Sequence, residues 1–394
     1  MTKLADEPII ESLLDTDLYT FTQQQVVWHS QPKLAVRYDF RCRSESIDLS
    51  PYADEIREQV DAYCSLRFSE AEVEYLGGIR FLHTDYVRSL VDLRIDSRAV
   101  HISTNPFSMT VEGNWYETIM FEVPLLAIVG EVYYRHTHPE DAANVEEGRK
   151  RLREKIEYAK THAVPFSLIE FGTRRRYSRL WQREVVQTLK QEVPAMLIGS
   201  SNVRLAETEA LKPFGTMAHQ FLQAHQALAP LHKFQKAALE AWMQEYRGDL
   251  GIALSDVVGM DAFLRDFDRL FALAYAGCRH DSGDPTEWGE KLIQHYENLA
   301  IDPKTKVAVF SDSLDFPKAF ELAEHFRGRI RTQFGIGTNL TNDMGFKPLN
   351  IVIKMTECDG QPVAKLSDSS GKQVTQNELY LKYLAQVFRH GGKA

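Results

Sequence analysis

Val164-Pro165-Phe166-Ser167-Leu168-Ile169 runs directly into Glu170-Phe171-Gly172-Thr173-Arg174-Arg175-Arg176, and then into a helical pattern from Tyr177 to Lys190. The apolar run reads as a strand buried on both faces, the habit of parallel strands lying under helices. An aromatic ring, a glycine and three guanidinium groups then gather at its carboxyl end. The same rhythm recurs downstream. Ala195 to Ile198 leads to Gly199-Ser200-Ser201-Asn202, and Ile252-Ala253-Leu254 leads to Ser255-Asp256. Leu273 to Cys278 leads to Arg279-His280-Asp281-Ser282-Gly283-Asp284, and Val307 to Phe310 leads to Ser311-Asp312-Ser313. Ile330 to Phe334 leads to Gly335-Ile336-Gly337-Thr338-Asn339, and Leu349 to Met355 reads as one more strand. The clusters at Asp256, Asp281, Asp312 and Gly337 follow at about 25 to 31 residues, the length of one β/α unit. The expected fold is α/β, an irregular (β/α) barrel over residues 136–355; a doubly wound open sheet is the alternative. In both, the carboxyl ends of the strands are where ligands bind. The helical stretch Ala218 to Arg247 interrupts the period and is expected to cross the barrel mouth.

Residues 1–135 have a different texture and read as an N-terminal α+β domain. Asp15-Thr16-Asp17 caps a helix through Gln23 to Trp28, and Leu34 to Arg41 alternates like a strand. Asp54 to Cys64, Ser69 to Tyr75 and Thr84 to Leu90 read as helices, and Val100 to Ser103 with Met109 to Glu112 as a hairpin around Asn105-Pro106. Residues 356–394 are expected to pack back on the body.

Each strand-end cluster has a chemical and a bland reading. Arginine forks in Phe171-Gly172-Thr173-Arg174-Arg175-Arg176 suit carboxylate or phosphate, and the phenyl face suits a flat ring; a basic surface turn is the alternative. Gly335-Ile336-Gly337-Thr338-Asn339 suits a phosphate cradle, or a plain turn. Arg279 to Asp284 offers carboxylates for ribose hydroxyls or Mg²⁺, whereas helix capping accounts for some of the same residues. In Gly215-Thr216-Met217-Ala218-His219, Thr216 can cap a helix whose first turns hold His219 beside exposed N–H donors. There an imidazole can act as a base or accept a phosphoryl group. His225 and His232 lack that setting and read as packing or surface residues. His136-Thr137-His138 looks like the start of a metal-dependent hydrolase site, but no clear set of further histidine ligands follows on later strand ends. There is no Walker loop, HExxH or GxSxG.

Bulk composition fits these readings. With 394 residues the chain exceeds one simple core, and 44% apolar with 26% charged residues is ordinary for a globular protein. A net charge of −9 argues against nucleic acid as partner, so an anionic substrate must be drawn in by a local basic site. Cys42, Cys64, Cys278 and Cys358 form no CxxC pair, which fits a reducing compartment. Met1 to Asp17 lacks the basic start of a signal peptide, and the greasiest run, Phe121 to Tyr134, is broken by Glu122, Pro124 and Glu131. A cytoplasmic protein with no membrane partner is expected.

Six motifs occur in order: Asp15-Thr16-Asp17-Leu18-Tyr19-Thr20, Phe171-Gly172-Thr173-Arg174-Arg175, Gly199-Ser200-Ser201-Asn202, Gly215-Thr216-Met217-Ala218-His219, Arg279-His280-Asp281-Ser282-Gly283-Asp284 and Phe334-Gly335-Ile336-Gly337-Thr338-Asn339-Leu340. On these the chain resembles the nicotinate phosphoribosyltransferases, within the type II phosphoribosyltransferase group. The resemblance implies that nicotinate and phosphoribosyl pyrophosphate give nicotinate mononucleotide and pyrophosphate, in NAD biosynthesis. It also implies ATP hydrolysis coupled through a phosphohistidine at His219, with Mg²⁺ accompanying ATP. It places Phe171 on one face of the pyridine ring and Tyr19 on the other, the latter from the partner subunit of a homodimer with a shared site. Arg174 and Arg279 then lie near the anionic groups, and Asp281 at the ribose. Ser311, Asp312, Gly337 and Thr338 lie at the 5-phosphate, and Asp256 joins the substrate-binding set. Ser201 stands where the nicotinamide-using relatives carry an aspartate; a hydroxyl can donate to nicotinate's carboxylate, whereas a carboxylate would repel it. Lys354 and Lys365 touch phosphates or stay at the surface. Two other readings remain open: a barrel that binds a phosphoribosyl ligand without turnover, and a decarboxylating quinolinate phosphoribosyltransferase.

Overall fold

A computed structural model describes residues 7–366 and 377–389. Six parallel strands form one sheet in the spatial order Leu197–Ser200, Leu168–Glu170, Arg331–Ile336, Val307–Phe310, Gly277–His280 and Ile252–Leu254. The first strand in sequence, Leu168–Glu170, pairs with the last, Arg331–Ile336, so the chain rounds on itself as a barrel does. One place in the ring lacks a regular strand, between Leu197–Ser200 and Ile252–Leu254. Residues 213–216 fill it: Pro213 bridges to Ser200, the Phe214 N–H donates to the Ser200 carbonyl at 2.9 Å, and the Thr216 hydroxyl donates to the Ile252 carbonyl at 3.3 Å. That closure is the irregularity which the broken period announced.

The expected strand from Leu273 to Cys278 starts later, because Asp268 caps a short helix, Arg269–Ala274, and pairing begins at Gly277. Leu349 to Met355 does enter a strand, Ile351–Cys358, but not in the barrel. It pairs antiparallel with Ala35–Cys42 in a second sheet that also holds the hairpin Val100–Thr104 and Phe107–Asn114. The antiparallel sheet is thus built from both ends of the chain. Of the expected C-terminal segment, residues 367–376 and 390–394 lie outside the described residues, as do residues 1–6 of the acidic start; Glu378–Arg389 is a helix.

The helices of the N-terminal region follow the sequence signals. Ser69 and Glu72 form a reciprocal capping box that starts Glu70–Gly77. The greasy run becomes Glu122–Thr137, buried almost throughout, and no helix among the described residues is long and apolar enough to cross a membrane. Ala218 to Arg247 splits into His219–Leu228 and Phe234–Tyr246, which pack against each other. The first of them also lies on the Ile351–Cys358 strand. Under the barrel's outer helices Phe166 stacks on Phe320 (4.1 Å, 7°) and on Phe334 (4.8 Å, 6°). Each buried phenyl contributes roughly 1.5–3 kcal/mol, so these rings set the strand positions with some force.

Candidate active site

The N-terminal segment is fastened to the barrel rim by backbone bonds. Leu18 N–H donates to the Ser201 carbonyl at 2.8 Å, and Val203 N–H to the Thr16 carbonyl at 2.9 Å. This places the start of the opening helix, Leu18–Ser30, over the strand ends. Asp17 holds the N-cap position but makes no capping bond; its carboxylate accepts from the Ser201 hydroxyl at 2.7 Å instead. Thr216, expected as a cap, is spent on the barrel closure, and Ala218 precedes His219 at the N-cap.

A cavity of about 550 Å³ opens here, lined by Asp17, Tyr19, Phe171, Arg174, Ser201 and Arg279, with Ile169, Ile252 and Val309 below. That mixture of aromatic, apolar and charged walls suits a small ring bearing an acid. The Arg174 guanidinium lies 5.9 Å from the Tyr19 ring centre, and that of Arg279 lies 5.7 Å from the Phe171 ring centre. Tyr19 is 5% exposed and reaches the cavity from the same chain as Phe171. Thr16 and Leu18 are held at their own barrel's rim by the bonds to Val203 and Ser201, so the Tyr19 that lines this cavity belongs to the same chain, where the resemblance implied a partner's. Burial raises Asp17's pKa, more than Arg174 (3.6 Å away) and Ser201 lower it. Replacing Phe171 by Ala is expected to weaken nicotinate binding by about 1–3 kcal/mol, the scale of a lost buried aromatic contact. Calorimetric titration checks this, and an unchanged affinity contradicts stacking.

Beside this cavity, and sharing Phe171, Arg174 and Arg279 with it, lies a wider cleft of about 1590 Å³. It collects Asp281, Ser311, Asp312, Gly337, Thr338, Lys354 and Lys365. The expected phosphate and ribose residues thus face one space. Arg279 is the hinge between the two cavities. It donates from Nε to the Ser311 hydroxyl at 2.7 Å and from Nη2 to Asp281 at 2.8 Å. Burial pushes Lys354 down to about 8, with Glu122 pulling the other way. The two glycines of Gly335-Ile336-Gly337 have a packing reason. A Cβ on Gly335 would sit 2.3 Å from the Phe171 ring, and one on Gly337 would sit 2.8 Å from the Phe171 carbonyl oxygen. They let Phe171 lie close against the last barrel strand, and Gly337 also lines the cleft. Asn339 also lines the cleft, its amide donating to the Leu314 carbonyl at 2.9 Å.

The third group is the tightest. His219 Nε2 lies 3.0 Å from Asp256 Oδ1, 3.3 Å from Asp281 Oδ2 and 2.7 Å from Lys365 Nζ. Lys365 also meets Asp256 at 2.5 Å, and Ser282 donates to Asp256 at 2.6 Å. Burial, then the Lys365 ammonium, push the His219 imidazole down to about 4, against the pull of the two aspartates. Burial opposes ionisation of Asp256, but Lys365 and His219 outweigh it and hold that carboxyl well below its usual range. Asp281 is likewise held low, by Arg279 and Lys365 against burial. The cluster presents a neutral imidazole between charged partners.

Several residues depart from the sequence reading. Arg176 does not reach a ligand. It is 1% exposed and binds Asp15 through two bonds (2.7 and 2.9 Å), Glu131 at 2.7 Å and Gln182 at 3.1 Å. Asp284 caps its helix through the Glu287 N–H, the bland reading. His136 is half exposed on Glu55, and His138 stacks on Phe346 at 4.0 Å. Asp17 was read only as a cap and Lys365 only as a phosphate or surface group, yet Lys365 sits at the heart of the His219 cluster. Glu122, near both Arg174 (3.8 Å) and Lys354 (3.9 Å), entered the sequence reading only as a break in the greasy run. A carboxylate inside an apolar helical run was its one signal.

Known proteins are similar to this chain in sequence and in fold. Residues 166–392 match the nicotinate phosphoribosyltransferase (NAPRTase) family, and residues 14–130 match that family's N-terminal domain. A nicotinate phosphoribosyltransferase of Burkholderia cenocepacia is 52% identical over 388 residues, 96% of this chain and 97% of that one. One of Bordetella petrii is 52% identical over 390 residues, 97% of this chain and 99% of that one. Crystal structures of the Vibrio cholerae and Porphyromonas gingivalis enzymes superpose with TM-scores of 0.93 and 0.91, at 40% and 34% identity. They cover 98% and 96% of this chain, and 94% and 100% of their own. On fold, site and likeness together, this chain belongs to the nicotinate phosphoribosyltransferase family.

Proposed function

We propose that the chain joins nicotinate to phosphoribosyl pyrophosphate, giving nicotinate mononucleotide and pyrophosphate, and that ATP drives the reaction through phosphorylation of His219. The observation that carries this is the pair of adjoining cavities sharing Phe171, Arg174 and Arg279. One fits an aromatic acid and the other a sugar bearing phosphates. In this reading the ring nitrogen attacks the anomeric carbon with its lone pair, and the bond from that carbon to the pyrophosphate oxygen breaks with its electrons. Tyr19 and Phe171 hold the ring, Asp281 meets the ribose, and Ser311, Asp312, Gly337 and Thr338 hold the 5-phosphate. Positive charge that develops at the anomeric carbon is stabilised by nearby carboxylate, and the departing diphosphate by Arg279, Lys354 and Lys365. Ser201, whose hydroxyl turns from Asp17 to the nicotinate carboxylate when the substrate binds, selects acid over amide together with Arg174.

For ATP, the neutral His219 nitrogen attacks the γ-phosphorus and ADP leaves; hydrolysis of the phosphohistidine releases phosphate and restores the imidazole. Mg²⁺ fits as an ion carried in by the polyphosphate. The cleft offers the hard oxygens of Asp312 and Ser311, whereas the His219–Asp256–Asp281 trio already encloses the Lys365 ammonium. When bound, Mg²⁺ would neutralise phosphate charge. We keep a homodimer in a cytoplasmic setting within this reading, each pyridine cavity lined by its own chain's Tyr19. The test is product formation from phosphoribosyl pyrophosphate with nicotinate, nicotinamide or quinolinate, with and without ATP. Nicotinate alone is expected to react, and ATP to increase the yield. Turnover of quinolinate or of nicotinamide at a similar rate overturns the assignment, and binding without any product supports a non-catalytic barrel.

A further inference from the structure

The opening helix that carries Tyr19 at its start carries His29 near its end, about 15 Å away along the axis. There three elements meet. His83 precedes the helix Thr84–Ser89, which holds Asp85, and Glu245 lies on Phe234–Tyr246. One ligand atom each from His29, His83 and Asp85 lie within 4.8 Å of one another. The two imidazole rings are 5.4 Å apart, and His29 Nε2 is 3.4 Å from Asp85 Oδ2. None of these residues belongs to the cleft.

We propose that His29, His83 and Asp85 form a peripheral site for a borderline-soft divalent cation of the Zn²⁺ class. Two imidazoles with one carboxylate are the donor set such ions take, usually with a water in the fourth place. A tetrahedral ion with bonds of about 2.0–2.1 Å keeps its ligands roughly 3.4 Å apart, so the trio needs only a small contraction. The side chains of His83 and Asp85 are 47% and 64% exposed, free to make it and open to an entering ion. The supporting frame is already built. Glu245, 11% exposed, accepts from His29 Nδ1 at 2.7 Å and lies 3.6 Å from His83 Nδ1. A carboxylate on the far nitrogen fixes the tautomer that offers Nε2 to a metal. Gln25, fully buried, braces both sides: its amide donates to Glu245 at 2.7 Å, and its carbonyl accepts from the His83 N–H at 2.7 Å. An ion here ties together the opening helix, Thr84–Ser89 and Phe234–Tyr246, and so steadies the element that delivers Tyr19.

The test is titration of the full-length protein with Zn²⁺ against a chromogenic chelator. The wild type is expected to bind one equivalent that the double variant His29→Gln, His83→Gln lacks. Glu245→Gln is expected to weaken it about 10–100-fold without removing a ligand. Zn²⁺ should also raise the thermal midpoint of the wild type and not of the double variant. The single variant His83→Gln, assayed for product formation, certifies a folded protein. No bound Zn²⁺, or an equivalent that survives in the double variant and disappears in His219→Asn, overturns the proposal.

Discussion

His219→Asn incubated with γ-labelled ATP should incorporate no acid-labile, base-stable phosphate, whereas the wild type should label. The variant should also lose ATP-driven accumulation of product while keeping some transfer from phosphoribosyl pyrophosphate. The reason is specific to the cluster. Burial and Lys365 push the imidazole down to about 4, so it is neutral and nucleophilic throughout the physiological range. The direction of the pH effect follows. Protonation disables the nucleophile, and it becomes appreciable only as pH falls toward 4. Labelling should therefore stay nearly flat between about pH 6 and 8, where an ordinary histidine, with a pKa near 6.5, would gain reactivity with rising pH. A wild-type labelling rate that climbs steeply through that window contradicts the electrostatic account. Undiminished labelling of His219→Asn contradicts the assignment itself.

Arg176→Met should cost about 3–5 kcal/mol of stability, the range for removing one partner of a buried ion pair. Arg176 satisfies Asp15 through two bonds and Glu131 through a third, all within the core. Burial alone raises both carboxyls. Asp15 is nevertheless held low, with Arg176 foremost among the groups that lower it, whereas Glu131 remains raised. Without the guanidinium both acids must either stay charged in a dry site or take up protons. The same change should loosen residues 15–19 and raise the KM for nicotinate, because Asp15 anchors the segment that ends in Asp17 and Tyr19. A urea midpoint shifted by less than about 1 kcal/mol equivalent shows that the network is not what fastens the N-terminal segment to the barrel.

Arg176 also marks the limit of what the chain discloses in one dimension. Arg174, Arg175 and Arg176 are chemically identical neighbours in the sequence. In space Arg174 faces the ring cavity, Arg175 faces the cleft and donates to the Ile351 carbonyl, and Arg176 points into the core. The direction of Arg176 is set by Asp15 and Glu131, 161 and 45 residues away, and no local pattern carries that. The barrel strands were legible because burial on both faces leaves unbroken apolar runs such as Val307–Phe310. The destination of Ile351–Cys358 was not, since an apolar run is the same for either sheet and its partner lies at Ala35–Cys42. Residues 213–216 close the ring through main-chain bonds to Ser200 and the one hydroxyl of Thr216, a pattern that carries none of the apolar signature of a strand. The positions of Phe171, Asp281, Asp312, Gly337 and His219 were legible because strand ends and a helix start fix where they sit. Lys365 was underestimated because its meaning comes from Asp256 and His219 packed around it, not from its neighbours in the chain.

The central claim is that the strand ends assemble one continuous pit for a pyridine acid beside a sugar diphosphate. A crystal structure with nicotinate and a non-hydrolysable phosphoribosyl donor analogue tests it most directly. The account predicts the ring in the cavity of Tyr19 and Phe171, its carboxylate toward Ser201 and Arg174, and the donor along Asp281, Ser311 and Thr338. A pyridine ring bound elsewhere, or a donor lying away from Asp281 and Gly337, contradicts it.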